Sequence, residues 1–202
     1  MAGSMLHNRG MGALAVGKIS MEEYFKIDDA SDQRFEFHDG ELFPVTTMAS
    51  FEHSVIAINL GRRMAERLDG GPCFAAAVPR VRATAKSVLC PDIAVICGRF
   101  ILASGTPSAI INPKVIVEIL SSSTSGYDYG EKFSLYRELP TFEEYLLVAQ
   151  DKPRIEVFRK TSDVSWVLTR YDGLQAVIQI GSLGIEIPAI EVYAGVEFPA
   201  AD

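Results

Sequence analysis

Two short apolar runs, each with a single carboxylate inside it, stand out in the hydrophobic pattern of the chain. Residues 88–97 read VLCPDIAVIC and enclose Asp92; residues 114–121 read KVIVEILS and enclose Glu118. Runs this short, rich in Val and Ile, predict strands of a sheet buried on both faces. A lone ionised carboxylate in such a place costs several kcal/mol unless its pKa rises or a cation joins it. Two of them on successive strands point to a shared cation. The alternative is that each is satisfied by a buried lysine or by backbone amides, as in many structural networks.

The remaining pattern supplies the other elements. Ser20 followed by Glu23 forms a capping box that opens a short helix, SMEEYFKI. In RFEFHDGELFPV, two alternating runs flank Asp39 and Gly40, the favoured type I′ hairpin turn. Phe35 and Phe37 share one face of that hairpin, while Arg34, Glu36 and His38 share the other, which makes Glu36 a candidate third carboxylate. Ser50 caps a helix running to Leu68, with His53 in its first turn and Gly70 and Gly71 stopping it. Strand-like runs follow at 74–84, 88–97 and 114–121. A helix over 127–139 is closed by Pro140, and EEYLLVA, RIEVFRK, VSWVLTRYDG and QAVIQI read as further strands. The order predicts an α/β fold, a mixed sheet flanked by helices.

Length and composition narrow the class. The 202 residues make one ordinary domain, assigned to 19–202, after a Gly/Ala-rich segment at 1–18 whose MAGS start resembles a tag remnant. With 48% hydrophobic and 22% charged residues the chain is that of a soluble globular protein. No stretch reaches the roughly 18 apolar residues of a membrane span, so a cytoplasmic protein without membrane contact is expected. The net charge of -7 disfavours polyanion binding by the whole surface. A nucleic acid must therefore use a local basic patch, with Arg80, Arg82 and Lys86 or Arg62, Arg63 and Arg67 as candidates and Tyr127, Tyr129 and Tyr145 as stacking groups. The plain alternative is solvated charge and half-buried packing. Cys73, Cys90 and Cys97, odd in number and without CxxC spacing, read as unpaired small hydrophobes.

Taken together, RFE, a helix with an early His, PDIAV, and VEILSSSTSGYDYGEKFSLYRELPTFEEYLLV resemble the Uma-two family of restriction-endonuclease-like proteins in the PD-(D/E)XK nuclease superfamily. The likeness runs from about residue 20 to 192 and is densest over 91–148. It implies a restriction-endonuclease-like fold with a central mixed β-sheet, and a metal-dependent endonuclease acting on DNA, expected as a homodimer. It further implies that Asp92 and Glu118, with Glu36 nearby, hold Mg²⁺, for which Mn²⁺ substitutes. Hard carboxylate oxygens suit both ions.

The superfamily's lysine two residues after the glutamate is absent, since Leu120 stands there. The resemblance implies that Lys132 has taken over from the next helix, where Asp128, Lys132 and Tyr136 form an i, i+4, i+8 stripe. On spacing alone, Asp128 and Lys132 equally read as a surface pair. His53, Asp128 and Tyr136 are expected to line the metal or phosphate site, with His53 also readable as an ordinary half-buried histidine. Two rival readings remain: a binding module that keeps the fold without catalysis, and a metal-dependent hydrolase of another substrate.

Overall fold

The computed structural model describes residues 17–45, 50–104, 108–121 and 124–198. Most of the segment set apart at 1–18 lies outside them. Helix α1 (Met21–Ala30) starts on the expected capping box. The hairpin follows as β1 (Phe35–His38) and β2 (Glu41–Pro44), with Asp39 and Gly40 both at positive φ as a type I′ turn requires. Helix α2 (Phe51–Leu68) begins at Ser50, whose side chain accepts from the His53 N–H at 3.0 Å. Next come β3 (Cys73–Ala77), β4 (Arg80–Thr84), β5 (Ser87–Leu89), β6 (Ile93–Cys97), β7 (Ala109–Ile110) and β8 (Pro113–Leu120). A helical segment consists of α3 (Ser125–Tyr127), a π-helical turn (Asp128–Lys132) and α4 (Phe133–Tyr136). Strands β9 (Glu144–Ala149), β10 (Arg154–Ser162) and β11 (Ser165–Asp172), the hairpin β12 (Val177–Ile180) and β13 (Ile185–Pro188), and α5 (Ala189–Val192) complete the chain.

Six strands form the main sheet in the order β11-β10-β9-β8-β6-β3, parallel only between β8 and β9. A five-stranded sheet, β2-β1-β5-β4-β7, lies beside it. Strand period decides what each face of the main sheet carries. Val115, Val117 and Ile119 of β8 pack in one layer with Ile56, Leu60, Met64 and Leu68 of α2. Ile116 and Leu120 pack in the other with Tyr136, Tyr145 and Leu147. Glu118 shares the parity of this second set, so it points to the side covered by α4.

Two runs expected as single strands are each broken in two. Val78 adopts φ 44 and donates to the Asp92 carbonyl at 2.9 Å, and Pro79 and Pro91 contribute no N–H to a ladder. The chain therefore leaves the main sheet after β3 and enters the small sheet as β4; the second run crosses the other way, from β5 to β6. Asp92 sits at this corner.

The cysteine reading is also corrected. Cys73 and Cys97 face each other in the β3/β6 register and form a disulfide, leaving Cys90 as the buried free thiol. An odd count with no motif spacing conceals a cross-strand pair 24 residues apart. From the size of that loop, reduction should lower the unfolding free energy by about 3 kcal/mol. Chemical denaturation with and without a dithiol measures this, and Mn²⁺ titration of the reduced protein should match that of the oxidised one.

Neither candidate basic patch is a free phosphate track. Arg80 is buried and pairs with Asp28 at 2.5 Å and with Asp29, because α1 packs against the small sheet. Lys86 reaches Asp39 at 3.1 Å, and Arg82 donates to the Ser104 carbonyl. On α2, Arg63 and Arg67 meet Glu191 and Arg62 meets Glu66. Among the described residues no helix is long and apolar enough to cross a membrane.

Candidate active site

The β6/β8 register pairs Ile93 with Val117, so the next position out places Asp92 opposite Glu118, as neighbours across the ladder. Asp92 is partly open to solvent, with 22% of its side chain exposed, whereas Glu118 is buried. The Asp92 carboxylate is fixed by the Ile119 N–H, which donates to Oδ2 at 2.7 Å. His53, carried by the first turn of α2, brings Nε2 to 3.3 Å from Asp92 Oδ1.

Lys132 enters from above. Its Nζ lies 3.0 Å from Glu118 Oε1, 3.1 Å from Glu36 Oε1 and 3.5 Å from Asp128 Oδ1, and it is buried with all three. The surface-pair reading of Asp128 and Lys132 therefore does not hold: both turn inward. What turns them is the π-helical turn, one residue wider than an α-turn, a form concentrated at functional sites. The expected regular helix over 127–139 is interrupted here. Tyr145 from β9 holds the turn by donating to the Asp128 carbonyl at 3.0 Å. Tyr136, one turn further, donates to Glu118 Oε1 at 2.9 Å. Lys132 and Tyr136 of this stripe thus converge on Glu118, while Asp128 flanks the Lys132 ammonium.

Glu36 is drawn into the same cluster, with both oxygens occupied. The Cys90 N–H donates to Oε1 at 2.9 Å, alongside Lys132, and Tyr127 donates to Oε2 at 3.2 Å. This geometry makes it a holder of the lysine. Cys90 N–H, Tyr127 and Tyr145 were not legible as site residues; the tyrosines attracted notice only as stacking groups, and nothing in sequence marks a backbone donor.

Three carboxylates, Glu36, Glu118 and Asp128, surround one ammonium, and Asp92 stands beside Glu118 across the ladder. Burial pushes the Glu118 carboxyl well above the usual range; Lys132 opposes this, while Asp128, Asp92 and Glu36 add to it. Burial raises Asp128 as well, against the pull of Lys132. For Lys132, burial disfavours the ammonium, but Glu118, Glu36 and Asp128 outweigh it and hold the pKa well above that of an ordinary lysine. It is a fixed cation and not a proton acceptor at neutral pH.

The donor chemistry fits a hard divalent cation. Glu118 Oε2 accepts no hydrogen bond among the described residues, while its neighbours leave negative charge in excess. No set of three His, Cys, Asp or Glu side chains among the described residues is arranged to hold a metal. Asp92 and Glu118 would then be the protein ligands, with water and substrate completing the shell as Mg²⁺ prefers. If Glu36 holds Lys132, Glu36→Gln should lower turnover about 10- to 100-fold while leaving Mn²⁺ affinity within a factor of a few. Calorimetry beside cleavage kinetics separates the two roles, since loss of Mn²⁺ binding would make Glu36 a ligand.

Residues 21–189 match the family model Uma2, described as "Putative restriction endonuclease". Two uncharacterized proteins of Synechocystis sp. are similar over nearly their whole length. The protein slr1290 is 30% identical over 90% of this chain and 94% of its own, and sll1609 is 32% identical over 87% and 100%. In fold the chain resembles a crystal structure titled a putative nuclease belonging to DUF820 from Anabaena variabilis. The TM-score is 0.71 at 16% identity, over 87% of this chain and 98% of that one. With a buried lysine and two adjacent carboxylates on a mixed α/β fold shared with that structure, and a family model covering most of its length, the chain belongs to the Uma2 family.

Proposed function

We propose that this protein is a metal-dependent endonuclease that hydrolyses phosphodiester bonds in DNA, with Mg²⁺ as its ion. One observation carries the reading: the Lys132 ammonium lies 3.0 Å from Glu118, the cross-strand neighbour of Asp92, although the strand offers only Leu120 at the expected place. When bound, a divalent ion supplies a water of lowered pKa and neutralises charge on the phosphodiester. Asp92 and Glu118 hold that ion. Lys132 presents a fixed positive charge toward the attacking water and the phosphate, without giving up its proton. Glu36 and Tyr136 keep Lys132 and Glu118 from drifting, an arrangement that requires no reorganisation during reaction.

A non-catalytic module gains no specific support, since it predicts a Lys132 turned away from the carboxylates. The test is Mn²⁺ titration by calorimetry of wild type and Glu118→Ala, followed by cleavage assays on single-stranded and duplex DNA and on RNA. Saturable binding in wild type, lost in Glu118→Ala, with Mn²⁺-dependent cleavage of DNA, is expected. At a hundred times Kd, Mn²⁺ should also stabilise wild type by about 2.7 kcal/mol and leave the variant unchanged. Metal binding with no cleavage or binding of any nucleic acid at low salt points instead to a hydrolase of another substrate.

A further inference from the structure

One cross-strand row of the main sheet runs outward from the carboxylate pair. Glu118 is registered with Leu147 of β9, Leu147 with Glu156 of β10, and Glu156 with Arg170 of β11. Directly registered residues point to the same face, so Glu118, Leu147, Glu156 and Arg170 lie on one side, with Asp92 at the inner end. Each sits two residues from the same end of its strand, on the edge where the chain also enters α2 through the hydrogen bond of Ser50 to Gln150 at 2.8 Å. At roughly 4.8 Å per strand, Glu156 is about 10 Å and Arg170 about 14 Å from Glu118.

Glu156 has no part in the cluster around Lys132, yet it is a buried carboxylate. It holds two groups that reach solvent. Tyr129, from the π-helical turn itself, donates its hydroxyl to Glu156 Oε2, while the residue stays 40% exposed. Arg170 donates Nε to Glu156 Oε1 at 2.8 Å with half its side chain exposed. Among the described residues its two terminal nitrogens have no partner, so a planar pair of donors is left facing outward. A tyrosine and a guanidinium pinned by one buried acid have little rotational freedom left to lose on binding. Burial and the Glu156 carboxylate push the Tyr129 phenol up to about 12, so it remains a donor at neutral pH.

We propose that Tyr129 and Arg170 form a substrate subsite for a nucleic-acid strand, in which the exposed tyrosine ring stacks on a base and the free guanidinium nitrogens bind a backbone phosphate a few nucleotides from the reacting one. This rests on the nuclease reading above. Stacking on a pre-set aromatic ring is tolerant of sequence, and guanidinium matches phosphate in a bidentate way. The subsite therefore binds strand without reading it.

The test measures anisotropy of a fluorescein-labelled single-stranded DNA 20-mer and of its duplex, in Mn²⁺, on the Asp92→Asn background to suppress cleavage. Tyr129→Ala should weaken single-strand binding about 5- to 150-fold, the range for losing one base stack, and Tyr129→Phe should retain most of the affinity. Arg170→Gln should flatten the slope of log K against log salt by about 0.7, one phosphate contact on a single strand. A Tyr129→Phe as weak as Tyr129→Ala would overturn the stacking role and make the hydroxyl a brace for the π-helical turn. Tight binding indifferent to both Tyr129→Ala and Arg170→Gln overturns the subsite and leaves the nuclease reading standing. No binding of any nucleic acid by the parent at low salt overturns both.

Discussion

Lys132→Met is expected to reduce cleavage about 10²- to 10³-fold, the scale of removing one preorganised electrostatic contact from a water-poor site. Methionine keeps the length and apolar stem of the side chain, so the π-helical turn retains its packing. The same variant makes a second, independent statement about stability. Without the ammonium, Glu118, Glu36 and Asp128 lose the one opposing charge that now lies within 3.5 Å of each. The folded-state pKa values of Glu118 and Asp128, already raised by burial, then rise further above those of the unfolded chain. A raised folded-state pKa contributes stability at low pH that is lost as pH climbs through it. Lys132→Met should accordingly be nearly as stable as wild type at pH 5 and several kcal/mol weaker at pH 8, within the range for an uncompensated buried charge. Denaturant midpoints at the two pH values decide it. A penalty independent of pH would mean that the lysine contributes packing alone.

Asp92→Asn is the other large effect, with cleavage expected to fall at least about 10³-fold, several kcal/mol of barrier height. Asparagine retains an oxygen for the Ile119 N–H, so the corner between the sheets should hold. Because the change removes a negative charge that opposes ionisation of the buried Glu118 beside it, the metal-free variant should melt higher than metal-free wild type, the usual exchange of stability against activity. In saturating Mn²⁺ that order should reverse. Differential scanning calorimetry with and without the ion tests both halves, and a variant destabilised in both conditions would assign Asp92 a structural role.

Much of the site was legible because charge inside an apolar strand is costly and therefore conspicuous. Asp92 and Glu118 announced themselves in this way, and Ser20, Glu23, Ser50, Asp39 and Gly40 followed local rules that the fold obeys. Other features depend on contacts between distant segments. The π-helical turn differs from a regular helix by one residue per turn, and the Tyr145 hydrogen bond that supports it comes from a strand. Residues 74–84 and 88–97 each carry enough β-branched and apolar residues for one long strand, but Val78, Pro79 and Pro91 divide both between two sheets. Arg80 looked like a surface charge because its partners, Asp28 and Asp29, lie about fifty residues away. Disulfide pairing of Cys73 with Cys97 is a matter of register, which composition does not carry.

The crossing at Val78 and Asp92 makes the site a property of topology more than of any loop. Glu36 belongs to the small sheet and Glu118 to the large one, and the strands that join those sheets cross at Asp92, the neighbour of Glu118 across the ladder. Sliding one sheet over the other would have to break the Val78 N–H to Asp92 carbonyl bond at the corner. The spacing of the acidic groups is thus locked like the pitch of a hinge pin, and lengthening the loops around it should leave the chemistry in register.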